Sequence, residues 1–152
     1  MKLVEILSPD MVLPELAATD KDAAIREICA FIAKQRNLRP DDIIKTLLER
    51  EKLGSTGIGE GVAIPHGKLA GLDRLQACFA RSGKGIDFSA IDHQPSHLFF
   101  VLLAPNNSAG LHLKALARIS RLLKSPEFRD RLLRAETVTQ IYKVISEEDA
   151  RA

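Results

Sequence analysis

Apolar residues recur along this chain at two spacings, and the alternation between them sets out its elements. Ile25, Ile28, Cys29 and Ile32 follow one helical stripe behind Thr19-Asp20, whose short polar side chains suit a helix cap, so a helix is expected to about Gln35. A second helix opens at Pro40, with Asp41 and Asp42 at the positive end of its dipole. It carries Ile43, Ile44, Leu47 and Leu48 inward and stops near Lys52, because Gly54 stands where a left-handed residue is wanted.

Strand spacing takes over elsewhere. Residues 1 to 10 read as an arm or short helical turn, and Val12 to Leu16 as a short strand that Pro14 restricts to an edge. Val62, Ala63 and Ile64 form a short apolar strand that Pro65 stops. Leu75, Ala77 and Phe79 alternate with Gln76, Cys78 and Ala80 in a strand toward Ser82; Gly83-Lys84-Gly85 is expected to break it, and Ile86 to Phe88 to pair back. His97 to Ala104 is dense enough for a central strand covered on both faces.

Helical spacing returns from Ala109 to Lys124, with Leu113, Leu116, Ile119 and Leu123 expected inside and Lys114, Arg118, Arg121 and Lys124 in water; His112 falls in the first turn. Ser125-Pro126-Glu127 opens a short helix bearing Phe128, Leu132 and Leu133. Thr137 and Gln140 have the spacing of a capping box for a last helix through Ile141 and Ile145, after which the tail from Glu147 to Ala152 is expected to fray. Helices and strands in alternation imply an α/β fold, a sandwich with a central mixed β-sheet flanked by helices on both faces. With no internal repeat or long linker, residues 1–152 are expected to form one domain.

Composition narrows the partners. The 152 residues are 45% hydrophobic, enough for one core, and a formal charge of +2 without like-charge blocks argues against nucleic acid. Cys29 on a helical stripe and Cys78 inside a strand read as buried thiols, consistent with a reducing cytoplasm. The longest apolar run, Leu98 to Ala104, is far below the roughly 20 residues that cross a bilayer, and the N-terminus lacks a basic region followed by an apolar signal core. A cytoplasmic location without membrane insertion is therefore expected.

The candidate chemistry is concentrated between Arg50 and Lys68. Arg50 sits in the last turn of its helix, and the loop that follows carries Ser55, Thr56 and glycines at 57, 59 and 61, able to turn successive N–H groups toward one anion. Pro65 ends the next strand directly before His66 and Gly67, delivering an imidazole at a strand end. A neutral imidazole is a competent nucleophile toward phosphorus, and Arg50, Ser55, Thr56 and the loop amides could offset phosphoryl charge.

Other readings of these residues are weaker. Gly57-Ile58-Gly59-Glu60-Gly61 follows a helix and enters a strand, the reverse of the order a dinucleotide or P-loop site requires, and no Gly-Lys-Ser/Thr ending is present. His93 and His97 have a helical metal spacing, but Pro95 lies between them. Neither a nucleotide site nor a metal is expected.

From Glu49 to Lys68 the chain resembles the phosphorylation-site signature of the fructose/mannitol-type enzyme IIA proteins of the bacterial phosphoenolpyruvate-dependent phosphotransferase system. The upstream arginine, the glycine-rich stretch and the apolar-Ala-apolar-Pro-His-Gly ending all match. Ala90-Ile91-Asp92, Gln94-Pro95 and His112 extend the likeness, which is closest to the nitrogen-regulatory branch. The resemblance implies that His66, through Nε2, accepts a phosphoryl group from an HPr-type phosphocarrier, with Arg50 and His112 assisting and no cofactor in the protein itself.

Three roles follow from the resemblance. The chain is a phosphocarrier in nitrogen or metabolic regulation; or a binding module whose target proteins read the state of His66; or a sugar-uptake IIA that passes phosphate to a separate IIB.

Overall fold

The computed structural model describes residues 1–152, the side chain of residue 109 excepted. Short 3-10 turns at Leu3–Glu5 and Pro9–Met11 lead into β1 (Val12–Leu13), α1 (Lys21–Arg36), α2 (Pro40–Lys52), β2 (Gly57–Gly59), β3 (Val62–Ala63) and β4 (His66–Lys68). The chain continues through β5 (Gln76–Ile86), β6 (Ser96–Ala104), α3 (Ala109–Leu122), α4 (Pro126–Arg134) and α5 (Val138–Arg151).

The strands form one mixed sheet in the order β1-β5-β6-β3-β2, with β4 also paired to β6. β5 and β6 are antiparallel, while β3 and β4 run parallel to β6 at different positions along it. Side chains on β6 alternate between sheet faces, yet every residue from Leu98 to Ala104 is buried, so both faces are covered. α1 packs on α2 and β5, α2 on β4, α3 and α4 on β6, and α5 on β1. Cys29 and Cys78 are free and buried in this core, and burial pushes the Cys29 thiol up to about 12.

The capping residues act where they were expected. The Asp20 side chain accepts from the Ala23 N–H at 2.8 Å, and Thr137 with Gln140 forms a capping box. Pro40 opens α2 and Lys52 closes it.

Four expectations need correction. β1 spans two residues rather than five, lying at the sheet edge parallel to β5. Gly83-Lys84-Gly85 does not break β5: the strand passes through a register shift and Ile86 regains pairing with Ser96, so the extra residues bulge out of the ladder.

In α3 the inward face contains Ala115, Ile119 and Leu122, while Leu113 is 68% exposed and Arg118 is buried. The tail does not fray, because α5 continues to Arg151 and Asp149 is buried against Arg118. That carboxylate also accepts from the Val4 N–H at 3.0 Å, and its backbone carbonyl accepts from Lys2 Nζ at 2.9 Å, tying the last helix to the first residues.

Candidate functional site

The site is built where β3 gives way to β4. Pro65 interrupts the strand, but its carbonyl still accepts from the Leu102 N–H at 3.0 Å, and His66 re-enters the sheet opposite Leu102. Gly67 is required here: a Cβ on it would lie 2.5 Å from Thr46 Cγ2 of α2. The helix that carries Arg50 can therefore approach closely behind the histidine.

The half-buried imidazole is held on both ring nitrogens. Nδ1 lies 2.7 Å from the Ile64 carbonyl, which can only accept, so Nδ1 bears the proton. Arg50 Nε–H donates to Nε2 at 3.3 Å, consistent with a lone pair on that nitrogen. Arg50 is steadied in turn by donation from Nη1 to the Gly54 carbonyl at 2.8 Å.

His112, in the first turn of α3, meets His66 edge to face with ring centroids 5.5 Å apart. It is 8% exposed, and its Nε2 has no hydrogen-bond partner among the described residues. A buried donor or acceptor left unpaired is expensive, so this nitrogen is available to an incoming polar group.

Burial holds the His66 imidazole below its ordinary pKa, with the Arg50 charge acting the same way; the Ile64 hydrogen bond and Glu51 oppose them. Burial, then His66 and Lys68, lower His112 as well. Both rings are thus held neutral near pH 7, the form a nucleophilic imidazole requires.

The other residues singled out in the loop face different partners. Ser55 Oγ donates to the Phe88 carbonyl at 2.6 Å and accepts from the Gly57 N–H at 2.9 Å. Thr56 is buried, with its N–H and hydroxyl both donating to the Glu51 carboxylate. Gly57 lies so close to Ala90 that a Cβ would sit 3.0 Å from its Cα. The donors of Ser55, Thr56 and Gly57 are committed to Phe88, Glu51 and Ser55 respectively, whereas Arg50, His66 and His112 converge.

The rest of the glycine run forms a tight hairpin rather than a loop. Glu60 and Gly61 both take positive φ between β2 and β3, and Asp92 accepts from the Glu60 N–H at 3.0 Å.

Sequence reasoning passed over Glu51 and Lys21. Glu51 stands in the run Glu49-Arg50-Glu51-Lys52, which reads as solvated helix-end charge, and Lys21 looks like any first-turn lysine. Nothing local marks them, since their pairing at 2.9 Å depends on how α1 meets α2.

Among the described residues no cluster of three or more His, Cys, Asp or Glu side chains is placed to hold a metal ion. No helix of the described residues is long and apolar enough to cross a membrane.

Residues 5–148 match the family model described as "Phosphoenolpyruvate-dependent sugar phosphotransferase system, EIIA 2". A nitrogen regulatory protein of Bradyrhizobium diazoefficiens is 40% identical over 152 residues, covering 100% of this chain and 99% of that protein. The fructose-specific EIIABC component of Bacillus subtilis is 37% identical over 98% of this chain, which corresponds to 24% of that longer protein. Among solved structures, nitrogen regulatory protein IIA-Ntr from Neisseria meningitidis superposes with a TM-score of 0.87 at 31% identity, over 93% of this chain and 97% of that one.

Proposed function

The chain belongs to the EIIA 2 family of the phosphoenolpyruvate-dependent sugar phosphotransferase system, and we propose that residues 1–152 form one such unit, a cytoplasmic phosphocarrier that receives its phosphoryl group on Nε2 of His66. The observation that carries this reading is the pair of hydrogen bonds on the ring: Nδ1 is engaged as a donor by Ile64, leaving Nε2 with its lone pair on the arginine side.

In the transfer, a phosphohistidine of an HPr-type donor protein presents phosphorus in line with Nε2. The new N–P bond forms as the donor's N–P bond breaks, and the donor imidazole leaves with that electron pair. His66 keeps its proton on Nδ1 throughout, so no proton has to move. Arg50 must release the Nε2 lone pair and take up phosphoryl oxygens instead, a short swing from one acceptor to another. His112, whose Nε2 has no partner among the described residues, is the second group at the phosphate. Ser55, Thr56 and Gly57 act by shaping the loop around it.

Docking of a protein donor suits the surroundings. Leu111 and Leu113 flank His112 at 51% and 68% exposed, and Leu53 follows Arg50 at 84%.

The near end-to-end likeness to the Bradyrhizobium nitrogen regulatory protein supports a role in nitrogen or metabolic regulation, with target proteins that distinguish the phosphorylated from the free state. The fructose-component match supports a second reading, in which the acceptor is a separate IIB in sugar uptake. Incubation with phosphoenolpyruvate, enzyme I and an HPr-type carrier should add one acid-labile phosphate to this chain. His66→Ala should abolish it, and equal labelling of that variant would contradict the assignment.

A further inference from the structure

Behind the histidine lies a buried carboxylate that the transfer scheme does not use. The Glu51 side chain is 5% exposed, and three donors converge on it: Lys21 Nζ at 2.9 Å and the Thr56 N–H at 3.0 Å, both on Oε1, with the Thr56 hydroxyl on Oε2. Lys21 comes from the first turn of α1, where its ammonium also lies 4.8 Å from the centre of the Phe88 ring.

The bonding continues from there to the imidazole. The Thr56 carbonyl accepts from the Ile64 N–H at 2.9 Å, and the Ile64 carbonyl accepts from Nδ1 of His66 at 2.7 Å. Thr56 and Ile64 are 3% and 4% exposed, so water does not compete along this path.

We propose that Glu51, anchored by Lys21, is a positioning residue for His66: through Thr56 and Ile64 it fixes the carbonyl that keeps the proton on Nδ1 and so leaves Nε2 to receive phosphorus. This rests on the phosphocarrier reading for its consequence, but its structural content concerns the ring alone. A residue that oriented the loop without reaching the ring would affect stability and nothing else. A carboxylate at the head of this chain acts as the third member of a nucleophile-orienting array, transmitted by backbone groups instead of direct contact.

The test is a two-bond 1H–15N correlation of the histidine rings on the full chain at about pH 8, where an unperturbed imidazole is neutral. It is paired with the initial rate of phosphorylation by phosphoenolpyruvate, enzyme I and an HPr-type carrier. In the natural sequence His66 should be predominantly the Nδ1–H form.

Glu51→Ala should move the ring toward the mixture of a free side chain and slow phosphorylation by about tenfold, as loss of the orienting hydrogen bonds does. Glu51→Gln should restore both, because its amide oxygen can accept from the Thr56 N–H and from Lys21 while its NH2 donates to the Thr56 hydroxyl. A folded Glu51→Ala protein whose His66 ring is unchanged overturns the proposal.

If Glu51→Ala does not fold, Glu51→Asp carries the test. It keeps the charge but falls one methylene short of Thr56, so the ring should shift part of the way, and an unchanged ring overturns the proposal equally. Failure of the natural chain to take phosphate would contradict the phosphocarrier reading instead, and the two failures are distinguishable because the ring is read without phosphate.

Discussion

At His66 two neighbours act on one ring from opposite sides, and each does separate work. The Ile64 carbonyl assigns the proton to Nδ1, while Arg50 lies on Nε2, the nitrogen proposed to react. Arg50→Ala should therefore have two effects of opposite appearance. The His66 pKa should rise toward its ordinary value, since the Arg50 charge helps hold it down. Phosphorylation should nevertheless slow by about a hundredfold, because a donor to the developing phosphoryl charge is lost. Ring titration by NMR and labelling kinetics check both; a faster reaction would show that Arg50 merely obstructs the nucleophile. The sequence already carried this centre, because Pro65-His66-Gly67 and the helix-end position of Arg50 are local features. The need for glycine at 67 was not visible there, as it arises from Thr46 on another element.

Elements were legible where one apolar stripe or one cap decided them, as in α1 and α2, and misread where two phases competed. In α3 Leu113 and Leu116 draw the expected stripe toward themselves, but the phase that buries Ala115, Ile119 and Leu122 turns His112 inward and Leu113 outward. The same phase carries Arg118 into the interior, which is tolerable only because α5 brings Asp149 to it, with Arg118 Nε donating to Oδ1 at 2.8 Å. That partner is 31 residues away, and no local signal announces it. Burial alone would raise the Asp149 carboxyl, but the Leu3 and Val4 N–H groups and Arg118 outweigh it and hold the group below the usual range.

Asp149→Asn leaves the buried guanidinium without its counter-charge and should destabilise the fold by about 3–5 kcal/mol. The paired replacement Arg118→Met with Asp149→Asn should recover most of that loss, since the uncompensated buried charge is gone and the amide oxygen still accepts from the Val4 N–H. Urea unfolding of the three proteins measures this, and a double variant no better than Asp149→Asn would contradict the account of α5.

Across the whole molecule, the sheet brings the start of β4, the end of α2 and the first turn of α3 to one place, and burial there depresses both His66 and His112. A histidine whose folded pKa lies below its unfolded value of about 6.5 binds more protons when unfolded. Its contribution to stability is full above that pH and is lost as pH falls from there through the depressed folded values. Melting temperature should thus decline as pH is lowered from about 7 toward 5, before the depressed carboxylates of Asp10 and Asp149 respond at lower pH. The slope, rather than the absolute stability, should flatten in the His66→Ala, His112→Ala double variant; an identical slope would assign the effect to other groups.

One atom decides the phosphocarrier reading, and 31P–15N correlation on the 15N-labelled, phosphorylated chain reads that atom directly. A single phosphorus coupled to Nε2 of His66 is expected, with Nδ1 still carrying its proton. Coupling to Nδ1, or phosphorus on any other residue, would contradict it.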